Sequence, residues 1–431
     1  MVLRAMFSGV SGLRAEGEAL GVVGDNIANV NTVGFKSQRA VFQDVLGHSI
    51  LAGTSSALPG SGVRMGDVQQ LFTQGSITNT GVSTDVALNG DGFLVMGGTV
   101  DGITGNFYTR AGQLTIDDDG FLVNQQSLNV QGYLANADGT LQASVADLKV
   151  PTSSLSPFAT TGWQITANLD PRAPVLTFDV TQPAKTSNFS TSISVFDSLG
   201  TARTLDVYFN NAGGNLYNYT VVAHGADIQG GTPGTDQIIG APGSLQFTSD
   251  GALSNATTPA LSLNFAGGAT AAQAIDLDFG PDIVNDGGTG LAGTTQFASD
   301  SAVSSQAQDG FASGEFSGLA IDGTGLVQGL YTNGQKIAIG QLAVAKFRSN
   351  DGLGRAGQNL WIETRDSGTA ALGGASTGGR ASVSAGALES SNVDLGEEFV
   401  GLIQHQRSFS ANSKTITTAD EMLQELINIK R

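Results

Sequence analysis

Cysteine is absent from the 431 residues, which excludes disulfides, thiolate nucleophiles and thiolate metal sites. Histidine is scarce: His48, His224 and His405 stand far apart with no ligand spacing between them, so a zinc site or a His-dependent triad lacks its parts. No apolar run approaches the ~18 residues of a membrane span. At the N-terminus Arg4, Arg14, Glu16 and Glu18 interrupt the hydrophobic positions, so neither a membrane anchor nor a cleavable signal peptide is expected there. Positive charge is also short. Twenty Lys and Arg against 38 Asp and Glu leave a formal charge of −18 with no basic patch, so nucleic acid and anionic lipid are not expected partners. More than half of that charge lies in residues 151–311, where thirteen Asp face only Arg172, Lys185 and Arg203 (3 − 13 = −10).

Glutamate is missing from the whole interior: after Glu16 and Glu18 none appears before Glu315. Glu favours helices and Asp favours turns, so residues 19–314 read as poor in helix. A length of 431 residues exceeds one hydrophobic core and corresponds to roughly three domains. Sixty Gly against ten Pro favour short strands joined by tight turns.

Helical periodicity is confined to the two ends. Leu3, Val10, Gly17 and Gly24 recur every seven residues, and Met6, Leu13, Leu20 and Ile27 form a second column beside them. Gly17, Gly21 and Gly24 each cost about 1 kcal/mol against Ala in a helix, so this helix is expected to be marginal alone. Towards the C-terminus Leu395, Leu402, Phe409, Ile416 and Leu423 form one column, with Phe399 and Ile427 in another and Gln406, Ser413 and Asp420 between them. Asn392 or Asp394 is placed to cap this helix, Glu397 and Glu398 suit its first turn, and Lys430 and Arg431 suit its end. Two incomplete apolar stripes at opposite ends read as coiled-coil halves seeking partners, within one subunit or between subunits. Until docked, such helices stay weak.

Between the ends, Asp-Gly occurs at Asp91, Asp101, Asp119, Asp138, Asp250, Asp286, Asp309, Asp322 and Asp351. Flanked by alternating apolar residues, as in residues 114–123 (LTIDDDGFLV), it signals antiparallel hairpins. The Gly-, Ser- and Ala-rich run at 47–62 reads as a connector and Pro151 to Pro157 as a second break. Residues 223–314, with isolated strand candidates at 245–247 and 275–279, read as loop-rich or peripheral.

Evidence for chemistry is thin. Residues 374–378 (GASTG) match G-x-S-x-G, but no helix follows to build the elbow that presents such a serine. Asp117, Asp118 and Asp119 precede Gly120 as a hairpin turn would, without the alternating oxygen ligands of a calcium loop. Asp276 and Asp278 alternate with apolar residues on a strand, and no carboxylate pair stands out. Trp163 and Trp361 read as core residues more readily than as carbohydrate platforms. No phosphate-binding glycine loop is present. His405 is placed on the polar face of its helix. No catalytic residue, cofactor or metal is expected.

Two long segments carry a resemblance. Residues 25–36 (DNIANVNTVGFK) resemble the N-terminal signature of the flagellar rod, hook and hook-associated axial proteins. Residues 388–395 (LESSNVDL), 406–414 (QRSFSANSK) and 418–424 (TADEMLQ) are similar to that family's C-terminal signature. The matching positions include Asn26, Asn29, Asn31, Gly34 and Phe35, and Asn392, Gln406, Arg407 and Asn412. Residues 89–95 (NGDGFLV), 108–112 (YTRAG), 120–123 (GFLV) and 130–133 (VQGY) resemble the family's shared β-domain. Residues 195–201 (VFDSLGT), 205–209 (LDVYF), 331–335 (YTNGQ) and 359–361 (NLW) resemble its hook-type members rather than the short distal rod type.

The resemblance implies an α+β multi-domain fold with two nested β-rich domains between paired terminal helices. These are a coiled-coil domain at 1–30 and 392–431, a connector at 31–69 and 386–391, an inner β-domain at 70–150 and 312–385, and an outer β-domain at 151–311. It implies a structural subunit that self-assembles into a hollow, curved, extracellular tube, with the terminal-helix columns named above as its assembly residues. Expected partners are further copies of the chain, distal rod, hook-cap and hook–filament junction proteins, and the flagellar type III export apparatus. The alternatives are a distal rod subunit and, from other classes, a secreted carbohydrate-active enzyme or a surface adhesin.

Overall fold

The computed structural model describes residues 2–45, 60–136 and 138–429, among which three α-helices occur: α1 (Val2–Ala28), α2 (Pro183–Thr186) and α3 (Leu395–Ile429). Apart from the single turn of α2 and a 3-10 turn at Asn350–Gly352, helix among the described residues is confined to the two ends, and the stretch without Glu is poor in helix as expected. The interior is strand. Most of the Gly-rich run at 47–62, with His48, lies outside the described residues, as do Lys430 and Arg431.

The chain divides into two compact units. The first comprises Met1–Thr152, Gly318–Leu330 and Lys336–Arg431, and the second Ser153–Ser317 with Tyr331–Gln335.

In the first unit the terminal helices pack together, and a ribbon of strands Gln38–Asp44 and Val63–Gln70 lies against α1. The segment expected as a connector thus carries a paired ribbon, and residues 387–389 of its return path pair with strand Ile77–Asn79. The β-part of this unit is a twelve-stranded sheet. Its central strand, Lys336–Lys346, pairs with Leu326–Tyr331, Asn129–Ala135, Phe93–Val100 and Ala371–Gly374. An aromatic core of Phe93, Tyr108, Phe347 and Trp361, flanked by Phe72, fills the space beneath. Turn chemistry sets the local register. Asp101 (φ 49°) and Gly102 (φ 81°) join strands Phe93–Val100 and Ile103–Thr109 as a two-residue turn with both central φ positive, the geometry that matches strand twist. At the Asp117–Gly120 turn the Asp117 carboxylate accepts the Phe121 amide at 2.6 Å, and the flanking residues pair as the expected hairpin.

The second unit is a β-sandwich. A five-stranded sheet running from Phe189–Phe196 to Leu253–Thr257 packs on a four-stranded sheet of Leu261–Leu263, Gln273–Asp278, Gly162–Asn168 and Ala302–Gln308. Strand Gln273–Asp278 alternates strictly: Ile275 and Leu277 are buried while Asp276 and Asp278 face out. Residues 223–314 are therefore not peripheral, because Leu261, Leu263, Phe265, Ile275, Leu277 and Phe279 supply one wall of the core. Gly162–Asn168 runs parallel to Gln273–Asp278, an exception to the antiparallel hairpins that Asp-Gly spacing implies.

Several aspartates of this unit are structural acceptors. Burial works to raise the pKa of Asp282 and Asp309, but donors outweigh it: Ala256 and Asn285 amides for Asp282, Thr161 and Gly162 for Asp309, leaving both below the usual carboxylate range. A carboxylate with a depressed folded pKa contributes stability above the unfolded pKa of about 3.9, and that contribution is lost as pH falls through the folded value. The second unit is accordingly expected to lose stability below about pH 4. Fluorescence of buried Trp163 in a Trp361→Phe background checks this, and Asp309→Asn is expected to shrink the loss.

Candidate assembly site

The segments that begin and end the first unit meet around one buried carboxylate. Glu389 is fully buried, and its Oε1 accepts Lys36 Nζ at 2.6 Å and the Gly75 amide at 2.9 Å. Its Oε2 accepts Arg110 Nη1 at 3.3 Å. Lys36 Nζ also donates to the Thr73 carbonyl (2.7 Å), and Arg110 Nη2 to the Gly90 carbonyl (2.7 Å). The Arg110 guanidinium lies over the Phe93 ring at 5.4 Å, while its Nε has no hydrogen-bond partner among the described residues. Burial pushes the pKa values of Lys36 and Arg110 down from their ordinary values, and Glu389 opposes the shift in both.

Backbone and amide contacts reinforce the junction. The Gly34 amide donates to the Glu389 carbonyl at 2.8 Å, with Gly34 at φ 68°. A Cβ there would sit 2.6 Å from the Ala111 backbone nitrogen, so both conformation and space require glycine. Asn392 Oδ1 accepts the Ser37 amide, and its Nδ2 donates to the Leu71 and Thr73 carbonyls. Asn392 is thus a clamp and not the helix cap. Asp394 caps α3 by accepting the Gly396 and Glu397 amides. Asn26, buried near the end of α1, exchanges hydrogen bonds with the backbone of Gln38 and donates to Glu398 of α3 at 2.8 Å. Burial pushes the Glu398 pKa up, and the bond from Asn26 opposes it.

The helices run antiparallel, since Glu16 Oε2 meets His405 Nδ1 at 2.6 Å near one end while Gly12 meets Asn412 and Gly9 meets Ile416 towards the other. The buried stripe of α1 is made of small residues three or four apart: Gly9, Gly12, Ala15, Ala19, Val23 and Asn26. A Cβ on Gly12 would lie 2.7 Å from Asn412 Nδ2 and one on Gly9 3.0 Å from Ile416 Cγ1. Glycine therefore lets the backbones approach, at a cost in helix propensity. On α3 the facing positions alternate by four and three: Glu398, Leu402, His405, Phe409, Asn412, Ile416, Ala419 and Leu423. His405 faces α1, contrary to its expected place on the polar face.

Of the sequence-derived residues, Leu402, Phe409, Ile416 and Leu423 are half-buried in this pair, as is Asn412. Met6, Leu13, Leu20 and Ile27 are half-buried on α1. Leu3 and Val10, by contrast, are 57% and 49% exposed, and Leu395 and Phe399 are 40% and 51% exposed. Gly17 and Gly24 are exposed as well. The large apolar columns are thus not the inner face of α1. Phe35 is buried, Asn29 donates back to Asp25 at the helix end, and Asn31, Gln406 and Arg407 are exposed. Sequence reasoning missed Lys36, Arg110 and Glu389 as a unit. A signal existed, because Lys36 is the sole lysine before Lys149 and Glu389 sits in an otherwise uncharged run.

An open hollow of about 470 Å³ in the second unit is lined by Gln164, Asp276, Asp278 and Asp309, with no histidine beside them. His224 pairs with Asp236 at 3.0 Å, a contact that raises the His224 pKa. Trp163 and Trp361 are 1% and 2% exposed and belong to the cores. Among the described residues no three His, Asp or Glu form a group able to hold a metal.

Comparison with known proteins adds the following. Residues 6–36 match the family described as flagella basal body rod protein, and 384–429 match flagellar basal body rod FlgEFG protein C-terminal. Residues 87–168 match the flagellar hook protein FlgE/F/G D1 domain, and 162–311 the flagellar basal body protein FlaE D2 domain. The chain is 33% identical to the flagellar hook protein FlgE of Treponema pallidum, covering 100% of both chains. It is 34% identical to that of Salmonella typhimurium over 98% of each, and 34% identical to that of Escherichia coli over 99% and 100%. The fold is similar to the crystal structure of Helicobacter pylori flagellar hook protein FlgE2, with a TM-score of 0.51 at 14% identity, covering 71% of this chain and 98% of that one.

Glu389→Gln leaves two buried cations without a counter-charge and is expected to cost the first unit about 3–5 kcal/mol. Thermal unfolding followed at Trp361 checks this, and a loss under about 1 kcal/mol would contradict the role given to Glu389. Gly34→Ala combines a left-handed φ with a backbone clash and is expected to cost about 2–4 kcal/mol in the same assay.

Proposed function

Since the chain belongs to the flagellar hook protein family, we propose that its paired terminal helices are the polymerising element and its β-units the wall of the assembled structure. The chain is a structural subunit of the flagellar hook, a polymerising axial protein, and the family is not one of enzymes. The observation that carries the division of labour is the terminal-helix pair itself. It satisfies α1 and α3 with one another along a seam of small residues, yet leaves Leu3, Phe7, Val10, Phe399, Val400 and Ile403 uncovered. Apolar helix faces left in water favour further association.

On this reading the helices of many copies pack as coiled coils lining a hollow, curved tube outside the cell, and the tube passes torque from motor and rod to filament. The domains follow as terminal helices at 1–30 and 392–431, an inner β-domain at 70–150 with 312–385, and an outer β-domain at 151–311. The outer domain, with its charge of 3 − 13 = −10, repels its neighbours at short range and so permits sliding as the tube bends. Export by the flagellar type III apparatus and contacts with distal rod, hook-cap and hook–filament junction proteins complete the proposal. A distal rod subunit is the second reading. It is less supported, because the relatives matched along the full chain are named hook proteins and residues 162–311 match a D2 domain.

Replacing Leu402 and Phe409 together by Asp is expected to abolish polymerisation while the strand signal in circular dichroism and the shielding of Trp163 persist. Electron microscopy reads the result: curved hollow tubes from the unaltered chain and none from the variant. Normal tubes from the variant would sink the role assigned to the helix pair.

A further inference from the structure

Two uncovered apolar patches lie at opposite ends of the helix pair. On α1, Leu3, Phe7, Val10 and Arg14 follow one another at four, three and four residues and form one exposed stripe, with Phe7 64% exposed. Beside this stripe, α1 and the ribbon Gln38–Asp44/Val63–Gln70 enclose a groove of about 450 Å³ whose floor includes Phe7, Val10, Ala15, Val63 and Met65. Arg14 and Arg64 stand at its rim, Arg14 paired with Glu18 at 3.3 Å. On α3, the first turns expose Phe399 (51%), Val400 (66%) and Ile403 (49%). The carboxylates of Asp394 and Glu397 are exposed just before them, and Arg407 follows a turn later.

One chain cannot bring these patches together. Gly9 lies against Ile416, and Ile403 is thirteen residues earlier in α3, about 20 Å away at 1.5 Å per residue. The patches differ in charge: Arg14, Arg64 and Glu18 line the groove (2 − 1 = +1), whereas the carboxylates of Asp394 and Glu397 stand exposed at the start of α3. Arg14 already pairs with Glu18 within the groove, so the choice rests on Arg64: groove-to-groove pairing of two copies adds no carboxylate for it, whereas groove-to-α3 pairing places it against Asp394 and Glu397. A contact between unlike patches leaves one of each free on every pair, so it propagates from copy to copy and builds a ring or an open helical polymer.

We propose that the groove beside α1 of one copy receives the first turns of α3 of a second copy, with Phe399 and Ile403 seated on Phe7 and Val10 and Glu397 facing Arg64. The contact rests on the polymerising reading and supplies that reading with a specific head-to-tail surface.

The absence of cysteine makes cross-linking selective. Val10→Cys and Phe399→Cys variants are prepared separately, polymerised singly and as a mixture, and oxidised. Disulfide-linked pairs are expected from the mixture and not from either variant alone, and the double variant is expected to yield a ladder of multimers. Tubes that assemble without any such link would overturn the contact while leaving the polymerising reading in place. Links within Val10→Cys alone would overturn it in favour of groove-to-groove pairing, and a chain that forms no polymer removes both readings. In parallel, Arg64→Glu is expected to raise the critical concentration for assembly roughly two- to fivefold. Adding Glu397→Arg is expected to reverse that rise, and no recovery would count against the pairing.

Discussion

The first unit depends on a carboxylate that has no access to water. A buried glutamate is tolerable only when its charge is met and its lone pairs are filled, and Glu389 achieves this by drawing Lys36, Gly75 and Arg110 from three other stretches of the chain. None of those stretches can move away without leaving ions unpaired in a low-dielectric interior. The penalty for separation makes the geometry specific, more than the attraction makes it stable. The cluster thereby fixes where α1 ends and where the approach to α3 begins. Asn26 and Asn392 extend the same logic with neutral amides, each satisfying backbone groups that irregular segments leave open.

The helix pair and the β-sandwich solve different problems. The pair buries little that is large. Its seam is glycine, alanine and two polar contacts, Glu16 with His405 and Asn26 with Glu398, so it is held by close backbone approach and by direction-specific bonds. The sandwich, by contrast, has an ordinary core of Trp163, Phe209, Tyr219 and Phe279, with Asp276 and Asp278 on the outward positions of a strand and most of its other aspartates in turns and loops. One part leaves apolar helix faces uncovered and the other closes its core on itself.

Much of this was legible in the sequence. The absence of Glu between residues 18 and 315 marked the middle as poor in helix, the seven-residue columns located the two helices, Asp-Gly located hairpins such as that at Asp101, and the terminal motifs pointed to the family. The inner face of α1 was not legible, because reading large apolar residues as buried selects Leu3 and Val10. The actual seam uses Gly9 and Gly12, whose value lies in the side chain they lack. Lys36, Arg110 and Glu389 were likewise passed over, since charged residues read as solvated until three distant segments are seen to converge. Residues 261–279 were undervalued because strands this short, set in Gly- and Thr-rich surroundings, carry a periodicity that only their sheet partners make visible.

The position of strand Lys336–Lys346 bears on the order in which the chain acquires its structure. It pairs Val344 with Leu94 and Gly340 with Leu134, contacts that span the entire second unit in sequence. Pairings of such separation are slow to find in an open coil. Residues 153–317, however, fold on contacts of their own and end with Leu155 bridged to Gly314 and Phe158 to Phe311. Once formed, that sandwich acts as a short tether between the strands on either side of it and lowers the loop-closure entropy of the central sheet by about 1 kcal/mol. The loop-closure cost therefore favours forming the middle of the chain before the sheet that flanks it.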